Sequence, residues 1–418
     1  MSAQKSTSRR EFLKTASLTA AAVSMNAASY ARVPGANDRI RVAMIGCGDR
    51  GRGAHMVGMH RYDKEQNAEF VVVCDPWRVA REQAAAMAKE WYGTEPRQCV
   101  SYRDVMAMDD VDAVMIASPD HHHTTHLEAA ARAKKDVYCE KPLAKNFESL
   151  KRACDAVREN GVIFQAGTQL RSLPSFTGCR ELYRSGTLGK VARIEQHRNG
   201  PRPYWYAYLK DVKEEDVDWK EFLGDTPNRP FDPHVYSGWF GYRDFSDGPV
   251  PGFGAHYIDL INYITGSTFP TSCVSLGGTF TWKDDYNFTA PDHAEAQWIY
   301  PEGFMVTYST NFGNGCGNSF KMFGNQAVMD MQEWEKPVLR REGGNAPTGK
   351  AAEPEAIAPI DRPDHVLDWL QCIRSRQTPN ANIDAGYQHA TTVLMAMMAF
   401  DTGSRMVYDP EKREIRKG

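Results

Sequence analysis

A chain of 418 residues exceeds the size at which one hydrophobic core keeps growing, about 250 to 300 residues, so two domains are expected. Its ordinary globular composition and formal charge of −3 exclude a basic face for nucleic acid. Past the first thirty or so residues the apolar runs are short and broken by charge, which excludes a membrane span of about 20 residues in the mature chain.

The chain opens with Ser8-Arg9-Arg10-Glu11-Phe12-Leu13-Lys14, an uncharged Ala/Ser/Thr-rich stretch and the small-residue site Ser29-Tyr30-Ala31. Residues 1–31 therefore read as a twin-arginine signal, recognised by the export machinery that moves folded proteins, and predict a periplasmic or exported protein. Its removal leaves a net charge near −6. The nine cysteines are odd in number, contain no Cys-x-x-Cys pair and often sit in apolar runs, as Cys74 does after Val71-Val72-Val73. They read as free thiols in the core, which fits folding in a reducing compartment before export.

From residue 39, β-branched runs at 40–45, 69–74, 112–117, 136–139 and 162–165 alternate with helical spacing at 78–91, 124–133 and 147–160. This alternation predicts a doubly wound parallel sheet, a nucleotide-binding Rossmann domain over 32–165. Beyond about residue 170 the sequence turns aromatic and turn-rich, with strand-like runs at 273–282, 293–300 and 304–311. A second α/β domain over 166–418 with a mostly antiparallel open sheet is expected, with a loop at 342–363 and closing helices at 365–376 and 385–402.

Gly46-Cys47-Gly48-Asp49-Arg50-Gly51 leaves the first strand and opens the first helix. In that context Gly46 serves the tight turn, Gly48 lets the backbone approach a pyrophosphate, and Gly51 lets helix pack on sheet. Asp75 ends the second strand, where a carboxylate accepts from ribose hydroxyls and repels a 2′-phosphate, so NAD is favoured. Arg78 nearby keeps NADP open, and Asp75 is equally able to cap the next helix. Ser118-Pro119-Asp120-His121-His122-His123 and Cys139-Glu140-Lys141-Pro142 leave later strands at the same carboxyl edge. Consecutive histidines cannot all face one ion, and no cysteine or carboxylate cluster joins them, so no metal site is expected. Lys141 is a candidate to bond a substrate hydroxyl, or else a solvated charge. The aromatic stretch 197–208, with His197 and Tyr204, reads either as a sugar-binding wall or as loop packing.

These motifs, with Gly167-Thr168-Gln169-Leu170-Arg171-Ser172, Leu188-Gly189-Lys190-Val191, His365-Val366-Leu367-Asp368-Trp369 and Tyr408-Asp409-Pro410, resemble the glucose-fructose oxidoreductase, inositol dehydrogenase and rhizopine-catabolism family, Gfo/Idh/MocA. Glu140-Lys141-Pro142 is the most specific mark. The resemblance implies a Rossmann domain followed by an open α/β domain whose sheet makes oligomer contacts. It implies that Glu140 and Lys141 contact the nicotinamide ribose, that Lys141 also reaches the reacting hydroxyl, and that Lys141-Pro142 is cis. Arg50, Ser118, Pro119, Asp120, His123 and Gln169 would join the cofactor site, and Arg171 and His256 the substrate site, to which the aromatic stretch would add His197 and Tyr204. The family commonly draws its acid/base pair from Asp-x-x-x-His. Here His256 is in place but Gly252 stands where the carboxylate would be, so Lys141 with His256 must suffice, or Asp247 or a tyrosine substitutes; His256 as a plain helix-start residue also stays open.

The expected function is hydride transfer between a tightly bound nicotinamide cofactor and a secondary hydroxyl of a sugar, cyclitol or glycoside. Export away from a replenishing NAD pool requires the cofactor to be recycled in place. A redox-neutral glycoside hydrolase or lyase working through a transient keto-sugar is the second reading, and a non-catalytic nucleotide- or sugar-binding protein the third.

Overall fold

The structure, a computed structural model, describes residues 38–341 and 353–418. The twin-arginine segment and the first half of the Gly/Ala/Pro-rich loop lie outside the described residues.

Strands β1 (Ile40–Ile45), β2 (Ala68–Cys74), β3 (Arg97–Cys99), β4 (Ala113–Ile116), β5 (Asp136–Cys139) and β6 (Phe164–Ala166) form one sheet in the order β3-β2-β1-β4-β5-β6. Every pairing in it is parallel. The helices between them are α1 (Arg78–Tyr92), α2 (His123–Arg132) and α3 (Phe147–Asn160). With helices on both faces, β1 and β4 are buried along almost their whole length, which is why they read as unbroken apolar runs rather than as alternation. Asn146 starts α3 by accepting from the Ser149 amide at 3.0 Å.

After α4 (Pro174–Arg184) come β7 (Val191–His197), α5 (Ala255–Thr265), β8 (Ser272–Gly278), β9 (His293–Ile299) and β10 (Met305–Asn311). They continue into β11 (Ser319–Gly324), β12 (Val328–Asp330), β13 (Val338–Arg340) and β14 (Glu355–Ala356), then α6 (His365–Ser375), α7 (Ile383–Thr402), β15 (Met406–Asp409) and β16 (Glu414–Lys417). The ten strands order as β14-β13-β12-β11-β7-β10-β9-β8-β15-β16, and only β7 against β10 runs parallel. The sheet's inner face packs on α5 and α7 in one core with part of the parallel layer.

Packing divides the chain differently from sequence order. Val366, Trp369, Leu370 and Cys372 of α6 share a core with β1, β2 and α1. A helix placed by sequence position in the second domain thus closes one face of the first, because its apolar stripe finds the uncovered side of the parallel sheet. All nine cysteines are free, with only Cys316 exposed, and no described helix is long and apolar enough to cross a membrane.

Candidate active site

The carboxyl ends of β1, β2, β4 and β5 open into a cavity of about 980 Å³, where open parallel sheets bind ligands. Gly46 turns the chain out of β1 with φ +90°, and a Cβ there would lie 2.5 Å from the Ala117 carbonyl carbon. A Cβ on Gly51 would strike the Gly46 carbonyl oxygen at 2.0 Å, so the following helical turn closes only over bare backbone. A Cβ on Gly48 would meet nothing within 4 Å, which leaves that backbone open to the cavity. The three positions thus form a cradle with room for a pyrophosphate.

Asp75 lies at the same edge, its Oδ2 accepting from the Cys47 amide at 2.6 Å and its Oδ1 from the Trp77 amide at 2.8 Å. Burial pushes this carboxyl up to about 6 against the pull of those amides. Arg78 points away from the cavity, to Glu82 at 3.0 Å and Asp216 at 2.5 Å.

At the other end, Lys141-Pro142 is cis and turns Glu140 and Lys141 into the crevice. Glu140 is buried, yet Arg50 and His55 beside it hold its carboxyl well below the usual range despite the opposing effect of burial. Its Oε1 takes Arg50 Nε at 2.6 Å and Gln169 Nε2 at 3.2 Å, and its Oε2 takes the Lys141 amide at 3.0 Å. His55, which sequence reasoning passed over, brings Nε2 to 2.9 Å from Oε1. Lys141 Nζ donates to the Gly252 carbonyl at 2.8 Å, and burial lowers its pKa although Glu140 and Asp120 oppose the shift. His256 lines the same cavity with Nδ1 unpartnered; burial and then Lys141 push its pKa well down, so the ring is neutral. Asp120 accepts from Ser246 Oγ at 2.7 Å, and burial raises its pKa.

The histidine triplet divides its work. His121 and His122 both reach the Phe222 carbonyl through Nε2, at 2.9 and 2.8 Å, while His123 joins the Pro142 and Ser118 carbonyls at 2.7 and 2.8 Å. His123 thereby ties together the two loops that carry Asp120 and Lys141. Ser118 Oγ lies 3.1 Å from His126 Nδ1, and Ser118 and Pro119 both line the cavity.

Three expected substrate residues stand elsewhere. Arg171 is buried against Asp259, with Nε to Oδ2 at 2.7 Å and Nη2 to Oδ1 at 2.6 Å, and its Nη1 donates to the Asn380 carbonyl at 2.7 Å. Its charge is consumed in joining elements, so it does not face a substrate. His197 ends β7 bonded to Ser309 Oγ, on the strand face shared with the mostly buried Glu195 and away from the cavity. Tyr204 stands behind the cavity wall rather than in it. Its Oη is buried and unpartnered, and a Cβ on Gly252 would lie 2.6 Å from it. Asp247, the acidic alternative to a carboxylate at 252, is occupied by Lys145 at 3.0 Å and Arg243 at 3.3 Å.

The cavity's outer wall comes from a part of the second domain that the sequence marked only by its aromatic texture: Tyr208, Lys210, Tyr236, Trp239 and Phe240, with Trp334. Trp239 and Phe240 stack at 3.7 Å.

Residues 40–168 match the NAD-binding Rossmann domain of the Gfo/Idh/MocA oxidoreductase family, and residues 205–277 match that family's C-terminal α/β domain. Among curated relatives, 2,7-anhydro-N-acetylneuraminate hydratase of Escherichia coli is 29% identical over 257 residues, 61% of this chain and 56% of the relative. Inositol 2-dehydrogenase of Rhizobium meliloti is 27% identical over 196 residues, 45% of this chain and 56% of the relative. The matched segments thus span about half the length of these relatives. In fold, the aldose-aldose oxidoreductase of Caulobacter crescentus superposes with a TM-score of 0.66 at 18% identity, covering 88% of this chain and 99% of that one.

Proposed function

We propose that the protein, whose residues 40–168 and 205–277 match the two domains of Gfo/Idh/MocA-family oxidoreductases, moves a hydride between a tightly held NAD and a secondary hydroxyl of a sugar, cyclitol or glycoside. The observation that carries this reading is the meeting of Lys141 and His256 in the cavity that begins at the glycine cradle. The cradle fits a dinucleotide: Gly48 leaves the backbone open, and Asp75 stands at the ribose edge. Arg78, turned to Asp216 and Glu82, is unavailable to a 2′-phosphate, which supports NAD over NADP.

The dinucleotide supplies a hydride acceptor and donor at its nicotinamide ring. The chain's own residues handle the proton. Lys141, anchored on the Gly252 carbonyl, is placed to bond the reacting oxygen, and the His256 ring, which lines the same cavity and whose pKa burial pushes down, is the base that takes the hydroxyl proton as the C–H bond breaks. Trp239, Phe240 and Trp334 offer apolar faces to a ring substrate.

The test is NADH formation by NAD-loaded protein with a panel of myo-inositol, levoglucosan, glucose and methyl glucosides. Lys141→Ala is expected to lower turnover by about 100-fold or more while NAD stays bound, and an unchanged rate would remove Lys141 from the chemistry.

A second reading draws support from Asp120, whose buried carboxyl holds its proton to higher pH than an ordinary one and so can protonate a leaving group. The similarity to a hydratase, an enzyme without net redox change, points the same way. Release of an aglycone with no net NADH would select it. The Arg9-Arg10 segment supports export with the cofactor already in place. The outer face of the ten-stranded sheet, where Leu276 is 75% exposed beside Val274, with Ile299 diagonal to Val274 on the next strand, supports self-assembly.

A further inference from the structure

Four loops at the carboxyl ends of β1 to β4 are gripped by one stretch of the second domain. Lys210 Nζ meets Asp49 of the glycine loop at 2.6 Å. After β2, the Asp218 amide donates to the Pro76 carbonyl at 3.0 Å, Val217 pairs with Trp77 in an antiparallel bridge, and Asp216 takes Arg78. After β3, Glu221 accepts from Ser101 Oγ at 2.8 Å and pairs with Arg103 at 3.2 Å. After β4, His121 and His122 close on the Phe222 carbonyl. The Tyr236 ring lies 5.9 Å from that of Trp77, edge to face, and both line the cavity.

In an open parallel sheet these loops carry the adenosine and the pyrophosphate. A segment fastened to all four at once lies across the edge of the sheet where that half of a dinucleotide sits. Resting on the dinucleotide reading above, we propose that residues 208–237 form a strap that completes the adenosine end of the site and retains NAD through successive turnovers. Lys210–Asp49, Arg78–Asp216 and Arg103–Glu221 are ion pairs with an exposed partner, each weak alone, while the main-chain bonds at Pro76 and Trp77 and the buried His122 contact anchor the strap, so its Lys210 end can lift to load the cofactor and yet hold it while all are made. Tyr236 opposite Trp77 gives the strap an aromatic contact of its own with an adenine ring. Retention dictates the chemistry: every hydride taken from a substrate must be returned inside the same closed site, to a second substrate or to the same one.

The test measures release of labelled NAD from the full-length protein into excess unlabelled NAD, with no sugar present. Wild-type protein should release NAD more slowly than it turns over. Lys210→Ala/Asp216→Ala, two surface positions, and separately Tyr236→Ala should each release it about tenfold faster or more. Added salt should speed release from the wild type and do much less to the double variant. Wild-type release as fast as turnover would overturn the proposal, and so would variants that keep the wild-type melting temperature and the wild-type release rate. A protein that retains NAD but oxidises nothing in the panel would leave the strap standing and remove the hydroxyl chemistry alone.

Discussion

At residue 252 the chain departs from the Asp-x-x-x-His pattern, and the structure supplies a steric reason. The Tyr204 ring is wedged among Trp205, Phe240, Phe253 and Phe312, at centroid distances of 5.2, 5.3, 4.9 and 5.9 Å, so its hydroxyl cannot swing aside. Any side chain at 252 begins with a Cβ 2.6 Å from that oxygen. With Asp247 tied to two cations, no carboxylate takes the vacant role, and Lys141 is oriented by a main-chain carbonyl instead. Burial lowers the pKa of Lys141, with Glu140 and Asp120 opposing the shift. The pairing predicts a change of sign. Gly252→Ala should cost about 1–3 kcal/mol through overpacking. In a Tyr204→Phe background the nearest atom retreats to 3.5 Å, and the same substitution should stabilise by about 0.5–1 kcal/mol, as alanine does in a helical turn. Urea unfolding of the four proteins measures both numbers, and equal costs in the two backgrounds would show the residues to be independent.

Elements are joined by a few buried charges that sequence pattern alone assigns to the wrong task. Arg171 follows β6 within a stretch of the family pattern, which made a substrate contact the natural expectation. Its bidentate bond to Asp259 instead pins that turn to α5, and its bond to the Asn380 carbonyl pins both to the approach to α7. Arg171→Ala leaves Asp259 buried without its cation and should cost about 3–5 kcal/mol in unfolding free energy, with NAD affinity of the folded protein unchanged. Weaker NAD binding at full stability would return Arg171 to the site. The parallel strands, the glycine cradle and Glu140-Lys141-Pro142 were legible because each is a local pattern with a local cause, whether an apolar run, a tight turn or a backbone approach. The packing of α6 on the first domain, the order of the ten-stranded sheet and the strap were not. They depend on which surfaces meet across more than a hundred residues, and the aromatic residues from 204 to 242 follow neither helical nor strand spacing. His55 and Tyr236 were missed for the same reason: each gains meaning only from Glu140 or Trp77 opposite it.

Over the whole molecule, buried histidines fasten one element to another. His122 joins α2 to the strap, His365 bonds the Ala166 carbonyl at 2.8 Å and Ser172 Oγ at 2.7 Å, and His389 of α7 lies 3.8 Å from Asp259. Burial lowers the pKa of His122 and His389 to about 4 and that of His365 to about 3. In the unfolded chain each would take a proton near pH 6.5. Between those limits the unfolded state binds protons that the folded state refuses, so the stability present above pH 6.5 is lost as pH falls toward 4, by about 1.4 kcal/mol per pH unit for each histidine. Asp75 acts in the opposite sense: its carboxyl, raised to about 6 from an ordinary value of 3.8, favours the folded state as pH falls through that window. It offsets one histidine of the three. Unfolding free energy measured in urea should therefore fall steeply from pH 7 to pH 4, and His389→Gln should flatten the slope by about one histidine's share. A profile flat across that range would mean that these histidines take up protons in the folded protein as readily as in the unfolded chain.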